Sequence, residues 1–362
     1  MVNHSRETTG TDTEGHPTIN PLNLVFYSPD FFPIIGGITN VVSTLATELT
    51  HMGHPVTVIT QTANKDVDVF PFPVLRRPGY HTARKAVRAA DVFVQFNLSL
   101  KGPPIWIASG IPLVVVHNGD YPDNLVGKVK IKIANLWARL NLAVSHYTAR
   151  VFPNAVVMPV PFRSDLFQVR KDFANRTKDL VFLGRLVSEK GVDLLLSALQ
   201  YARLAGHYFD LTIIGDGPEN KNLHQKAGAL GLSSQVTFAG QLTGEALVDS
   251  LNDHKVMVVP SMAYEGFGLV ALEGIACGCI VFAANRGGLP EAVGACGRLF
   301  PPENVVSLAE MLIQTRPSWE DLHEKTICNA TVHLEKFAPR NVANFVVDSI
   351  RREVFNRTQP GK

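Results

Sequence analysis

From Leu22 onward the chain repeats one pattern: a short apolar run, a turn, then a longer stretch that is apolar on one side only. The runs Leu22–Ser28, Val56–Thr60, Val92–Phe96, Leu113–His117 and Leu142–Ser145 are continuous and rich in β-branched residues. Such runs, lacking polar alternation, predict parallel strands whose two faces are both covered by crossover helices. A second series begins at Leu180, with Leu180–Gly184, Leu211–Gly215, Val236–Gly240, Val256–Pro260 and Cys279–Ala283. Helical stretches such as Val192–Ala205 and Glu219–Leu230 separate its members. Two series in succession predict an α/β protein of two Rossmann-like, doubly wound domains. The join is expected near Val160–Lys178, where Pro159, Pro161 and a charged stretch interrupt the pattern. The expected divisions are a first domain over 21–165, a second over 166–338 and a closing segment over 339–362. The last helix, about Arg340–Asn356, has no strand after it and is expected to cross back to the first domain. Residues 1–20 are polar and read as a disordered tail.

In two doubly wound units a ligand belongs at the carboxyl ends of the strands, in the central cleft between domains. The candidate chemistry falls there. Gly36 and Gly37 follow the first strand, His117 ends a strand, Arg185 follows Leu180–Gly184, and Gly215-Asp216-Gly217 follows Leu211–Ile214. The run Tyr264–Glu273 follows Val256–Pro260 and carries the densest signal. Glu265 sits on a glycine-containing turn, while Gly268, Leu269 and Val270 are expected to open a helix bearing Glu273. Backbone N–H groups at a helix start suit an anion, and two carboxylates suit sugar hydroxyls. Arg185 and Lys190, within Gly184–Gly191, place two cations at the same edge and suit a diphosphate. Each piece has a plainer reading: Gly36-Gly37 as a turn, Arg185 and Lys190 as solvated charges beside Glu189, and His117 as a structural strand-end histidine. Asp66-x-Asp68 reads as solvated loop charge, and no metal is expected. The first strand is not followed by G-x-G-x-x-G, which argues against a dehydrogenase.

Composition narrows the classes. The 362 residues suit two domains of ordinary size, with 46% hydrophobic and 18% charged residues. A net charge of +2 argues against bulk nucleic-acid binding. Cys277, Cys279, Cys296 and Cys328 form no C-x-x-C pair and read as reduced thiols of a cytoplasmic protein. No apolar run reaches the ~20 residues that cross a bilayer, and the start has no apolar core like that of a signal peptide.

Taken in order, the Gly36-Gly37 loop, Gly184–Gly191, Gly215-Asp216-Gly217-Pro218, Glu265–Glu273 and Gly287–Val293 resemble glycosyltransferase family 4, retaining enzymes of the GT-B fold. The likeness covers most of the chain from Leu24 and is strongest over Leu180–Phe300. It implies that Arg185 and Lys190 bind the diphosphate of a nucleotide-sugar donor. Glu265 would meet the sugar hydroxyls and Glu273 the ribose hydroxyls. The N–H groups near Gly268, Leu269 and Val270 would assist the phosphates, with Gly37 and Gly215 lining the site and His117 near the sugar. The base would lie along Gly240–Thr243. The implied reaction is metal-independent, retaining transfer of a hexose-type sugar from a UDP- or GDP-linked donor, with no cofactor. The acceptor would be a glycan or lipid-linked hydroxyl in polysaccharide or glycolipid assembly. Alternatives are a sugar-nucleotide epimerase of the same fold or a non-catalytic nucleotide-sugar-binding subunit. The sequence departs from the family at Pro161-Phe162-Arg163, where many members carry Asn-Gly-Val.

The stretch Lys128–Leu140 is amphipathic, with Lys128, Lys132 and Arg139 on one side and Val129, Ile133, Leu136, Trp137 and Leu140 on the other. The commoner expectation is that the apolar side packs on the sheet. The alternative is peripheral contact with an anionic membrane on its inner face, with Arg76, Arg77, Arg84, Lys85 and Arg88 adding charge.

Overall fold

The computed structural model describes residues 20–64, 69–99, 109–119, 121 and 123–355. The expected tail, up to residue 19, and the Asp66-x-Asp68 pair lie outside the described residues, as does Asp120. Two parallel sheets carry the fold. The first holds β1 (Leu24–Ser28), β2 (Val56–Thr60), β3 (Val74–Arg76), β4 (Val92–Phe96), β5 (Leu113–His117), β6 (Leu140–Ala143) and β7 (Ala155–Val157), in the order β3-β2-β1-β4-β5-β6-β7. The second holds β8 (Lys178–Leu183), β9 (Leu211–Ile214), β10 (Val236–Gly240), β11 (His254–Val259), β12 (Ile280–Ala284) and β13 (Gly297–Phe300), in the order β10-β9-β8-β11-β12-β13.

Both orders reverse direction once, between β1 and β4 and between β8 and β11. A crevice opens at such a switch point because successive crossovers leave on opposite faces. β1, β4 and β5 are buried at every residue, as their unbroken apolar runs require. The outer strands β3, β7 and β13 escape the apolar-run criterion: β3 and β7 have three half-buried residues each, and β13 exposes Arg298 and Leu299. β6 begins two residues before the expected start, because buried Asn141 belongs to the strand and breaks its apolar signature. The Pro339–Ile350 helix returns across the first domain, packing on the Gly37–His51 helix, with Arg340 3.4 Å from Glu48. No helix among the described residues is long and apolar enough to cross a membrane.

The amphipathic segment departs most from expectation. Its helix runs Leu125–Trp137, opened by Asn124, whose side chain accepts from Gly127 N at 2.9 Å. Starting three residues early ends it before Leu140, which enters β6. The buried residues are Gly127 and Ala134, so the apolar side expected on the sheet is largely turned out. Val129, Leu136 and Trp137 are exposed.

Loops at the carboxyl edge of the second sheet approach backbone to backbone. A Cβ on Gly191 would lie 2.0 Å from Pro260 O, and one on Gly215 would lie 1.9 Å from Gly184 O. Both glycines have positive φ, +72° and +140°. Gly191→Ala is therefore expected to destabilise by about 1–3 kcal/mol, through overpacking and backbone strain. Gly228→Ala, in the Asn220–Ala229 helix with only Ser233 Oγ at 3.9 Å, is expected to stabilise by about 0.5–1 kcal/mol. Calorimetric melting of the two variants beside wild type checks the contrast.

Candidate functional site

The site begins with the loop after β11, which is clamped from three sides. Gly191 lies against Pro260 O, and Met262 N donates to Glu189 O at 2.8 Å, so the loops after β8 and β11 are joined. Gly287 and Gly288 lie so close that added Cβ atoms would sit 2.4 Å from Glu265 O and 2.3 Å from Gly266 O. Gly288 N also donates to Glu265 O at 2.8 Å. From the first domain, Asn118 O occupies the place a Cβ on Gly266 would need, at 2.0 Å.

This clamp sets the position of Glu265. Its carboxylate accepts from Ser261 Oγ at 2.7 Å and forms a short ion pair with Lys190 Nζ. Lys190 lies on the Ser188–Lys190 turn, which Gly191 ends in the left-handed region. The two side chains are 33% and 18% exposed, so the pair is only partly solvated and stays open to a ligand. Arg185, at the same strand end, is exposed and makes no ion pair among the described residues.

The Leu269–Ala276 helix starts at Gly268 with φ +107° and has no side-chain cap. The N–H groups of its first turn lack intrahelical acceptors and carry the positive end of the helix dipole. Gly37 of the first domain stands opposite, where a Cβ would touch Leu269 Cδ1 at 3.8 Å. One turn further along, Glu273 is 8% exposed and its carboxylate has no hydrogen-bond or ionic partner among the described residues. Burial pushes its carboxyl up to about 7.

The structure thus brings Gly37, Lys190, Glu265, Gly268, Leu269 and Val270 together, with Arg185 and Glu273 at either end. Gly215 contributes through backbone only, seating its loop against Gly184. His117 lies deeper than the other candidate side chains. It is fully buried, stacked on Phe152 at 3.6 Å, and both ring nitrogens are engaged, by Tyr121 OH at 2.8 Å and Asn141 Oδ1 at 2.9 Å. Tyr121 OH also accepts from Leu98 N at 2.9 Å. Burial lowers the imidazole to about 4, so it is neutral near pH 7. In this geometry His117 anchors the strand end that presents Asn118 O to Gly266.

A seam between domains flanks the site and escaped sequence reasoning. Ser145 Oγ donates to Gly266 O at 2.7 Å, and the Glu291 carboxylate accepts from His146 N at 2.8 Å while facing its Nδ1 at 2.8 Å. Tyr147 stacks on Tyr264 at 4.9 Å, with Arg150 over Tyr147 at 3.6 Å and Arg286 over Tyr264 at 5.1 Å. Tyr264, Gly266 and Glu291 lay in motifs singled out beforehand, but nothing in those motifs specified partners in the first domain, up to 145 residues away.

Comparisons with known proteins agree with this architecture. The model of the family described as glycosyl transferases group 1 matches residues 165–331. The D-inositol 3-phosphate glycosyltransferase of Rhodococcus opacus is 30% identical over 323 residues, which cover 77% of this chain and 69% of that protein. An uncharacterized glycosyltransferase of Methanocaldococcus jannaschii is 32% identical over 174 residues, covering 47% of this chain and 44% of that protein. Among solved structures, Anabaena HepE in complex with UDP and glucose superposes with a TM-score of 0.78 at 19% identity, covering 91% of this chain and all of that one. Sucrose-phosphate synthase from Thermosynechococcus elongatus does so with 0.72 at 19% identity, covering 91% and 98%. Two facing Rossmann-like domains of this kind are the GT-B architecture. With the site loops in place and a relative matched over most of both chains, the protein belongs to the glycosyl transferases group 1 family.

Proposed function

We propose that this glycosyltransferase moves a hexose-type sugar from a UDP- or GDP-linked donor to a hydroxyl of a glycan or lipid-linked acceptor, retaining anomeric configuration and using no metal. The observation that carries the reading is the Lys190–Glu265 pair beside an uncapped helix start. In the free protein each charge neutralises the other. A donor offers both better partners: diphosphate for Lys190 and sugar hydroxyls for Glu265. Arg185, Lys190 and the first-turn N–H groups of the Leu269–Ala276 helix then stabilise the charge that develops on the leaving diphosphate. Glu273, buried without a partner, supplies acceptor oxygens for the ribose hydroxyls. Among the described residues no carboxylate pair stands out as nucleophile and acid, which favours same-face attack assisted by the departing phosphate. UDP is the first nucleotide to try, because a structural neighbour of this fold holds it, and an inositol phosphate is one acceptor suggested by a relative's name.

Thermal-shift titration tests the site. The productive donor at ~100 times its dissociation constant should stabilise by about 2.7 kcal/mol. Lys190→Ala is expected to remove most of the response to both the free nucleoside diphosphate and its sugar. Glu265→Gln should spare the diphosphate response and weaken that of the sugar. Equal effects of the two variants on both ligands would overturn these roles. Transfer is expected to continue in EDTA; loss rescued by magnesium would overturn metal independence.

The raised Glu273 carboxyl has a pH signature. The folded protein holds this proton up to about 7, against 4.5 for an ordinary Glu. Its contribution to stability is therefore fully present below pH 4.5 and lost as pH rises towards 7. Glu273→Gln should abolish that decline when the two melting profiles are compared. If ribose hydroxyls bind the charged carboxylate, UDP affinity should rise through pH 7 in wild type and stay flat in the variant. Parallel affinity profiles would remove Glu273 from the nucleotide site.

A further inference from the structure

We infer that the first domain docks on an anionic lipid surface through the face formed by the Tyr80–Arg88 and Leu125–Trp137 helices. The two helices lie on the same side of the first sheet, since Ala83, Val87 and Ala134 share one apolar cluster with Val25, Tyr27, Phe93 and Val115. Between them they carry Arg84, Lys85, Arg88, Lys128, Lys130 and Lys132 and not one carboxylate, in a chain whose net charge is only +2. Lys128 pairs with the exposed Asp123, just ahead of its helix, at 3.2 Å.

Charge alone would describe many soluble surfaces. Here it is interleaved with apolar side chains facing water: Leu125 is 78% exposed, Val126 54% and Leu136 68%. Leu125 and Val126 follow the carboxyl end of β5. Ile34 and Ile35, also half exposed, follow that of β1. Four apolar side chains that follow the carboxyl ends of β1 and β5 thus face water, and the two helices are cationic. An interfacial segment combines those features, apolar side chains entering the headgroup boundary and cations meeting anionic lipid. An acidic soluble partner would meet the cations but leave Leu125 and Val126 unexplained.

This inference does not depend on the donor site, so the two can fail separately. The full chain is sedimented with vesicles of phosphatidylcholine alone and with a minority of phosphatidylglycerol, over a salt series. Expected are pelleting with the anionic vesicles only, loss at high salt, and a fall in partitioning of about fivefold for each of Lys128→Gln, Lys130→Gln and Lys132→Gln. Leu125→Ser with Val126→Ser should weaken binding at every salt concentration. Far-UV circular dichroism and the UDP thermal shift should be unchanged in all variants. No pelleting with either vesicle, equal pelleting with both, or binding untouched by these substitutions would overturn the proposal.

Discussion

Everything at the cleft depends on how closely the loop after β11 is packed by the backbone of its neighbours. Carbonyl oxygens of Pro260, Glu265 and Gly266 lie where side chains of Gly191, Gly287 and Gly288 would be, and Asn118 O lies where one of Gly266 would be. Contacts of about 2 Å to a Cβ are sterically forbidden, so glycine is required at all four positions. The reward for this crowding is rigidity. Glu265 has its main-chain carbonyl hydrogen-bonded and its side chain held by Ser261 and Lys190, so a ligand meets a preformed carboxylate. Preorganised charge stabilises a developing charge without first reorganising itself.

The same crowding ties the two domains together. Asn118 and Ser145 reach Gly266, and His146 reaches Glu291, each from the carboxyl edge of the first sheet. The Tyr147–Tyr264 stack adds apolar contact with an arginine on each outer side. Elements of both domains thus meet on the one loop that carries Glu265, so its position is fixed by the seam as well as by its own domain. His117 contributes from beneath, fixing the strand end that carries Asn118.

Much of this was legible before the structure. Unbroken apolar runs named ten strands because burial on both faces demands them, and the switch-point rule put Gly37, His117, Arg185, Gly215 and Glu265 at the carboxyl ends of the strands. The strands that were missed, β3, β7 and β13, lie at or near sheet edges, where partial exposure relaxes the demand for apolar residues. The Leu125–Trp137 helix was misaligned because Lys128–Leu140 fits helical periodicity equally well. The Asn124 cap and the start of β6 at Leu140 decide the phase, and with it which side faces water.

The sequence by itself determined the two α/β units, the loops that carry the chemistry and the edge of each sheet on which they fall. These follow from local periodicity and from glycine at positions that no other residue tolerates. Only the tertiary structure decided that His117 turns inward to Tyr121 and Asn141, that Lys190 meets Glu265, that Glu273 lacks a partner, and that Glu291 holds His146. Each of those depends on which side chain from a distant segment arrives within about 3 Å. Short-range pattern places a residue on an element; only the packing of one element against another determines what it touches.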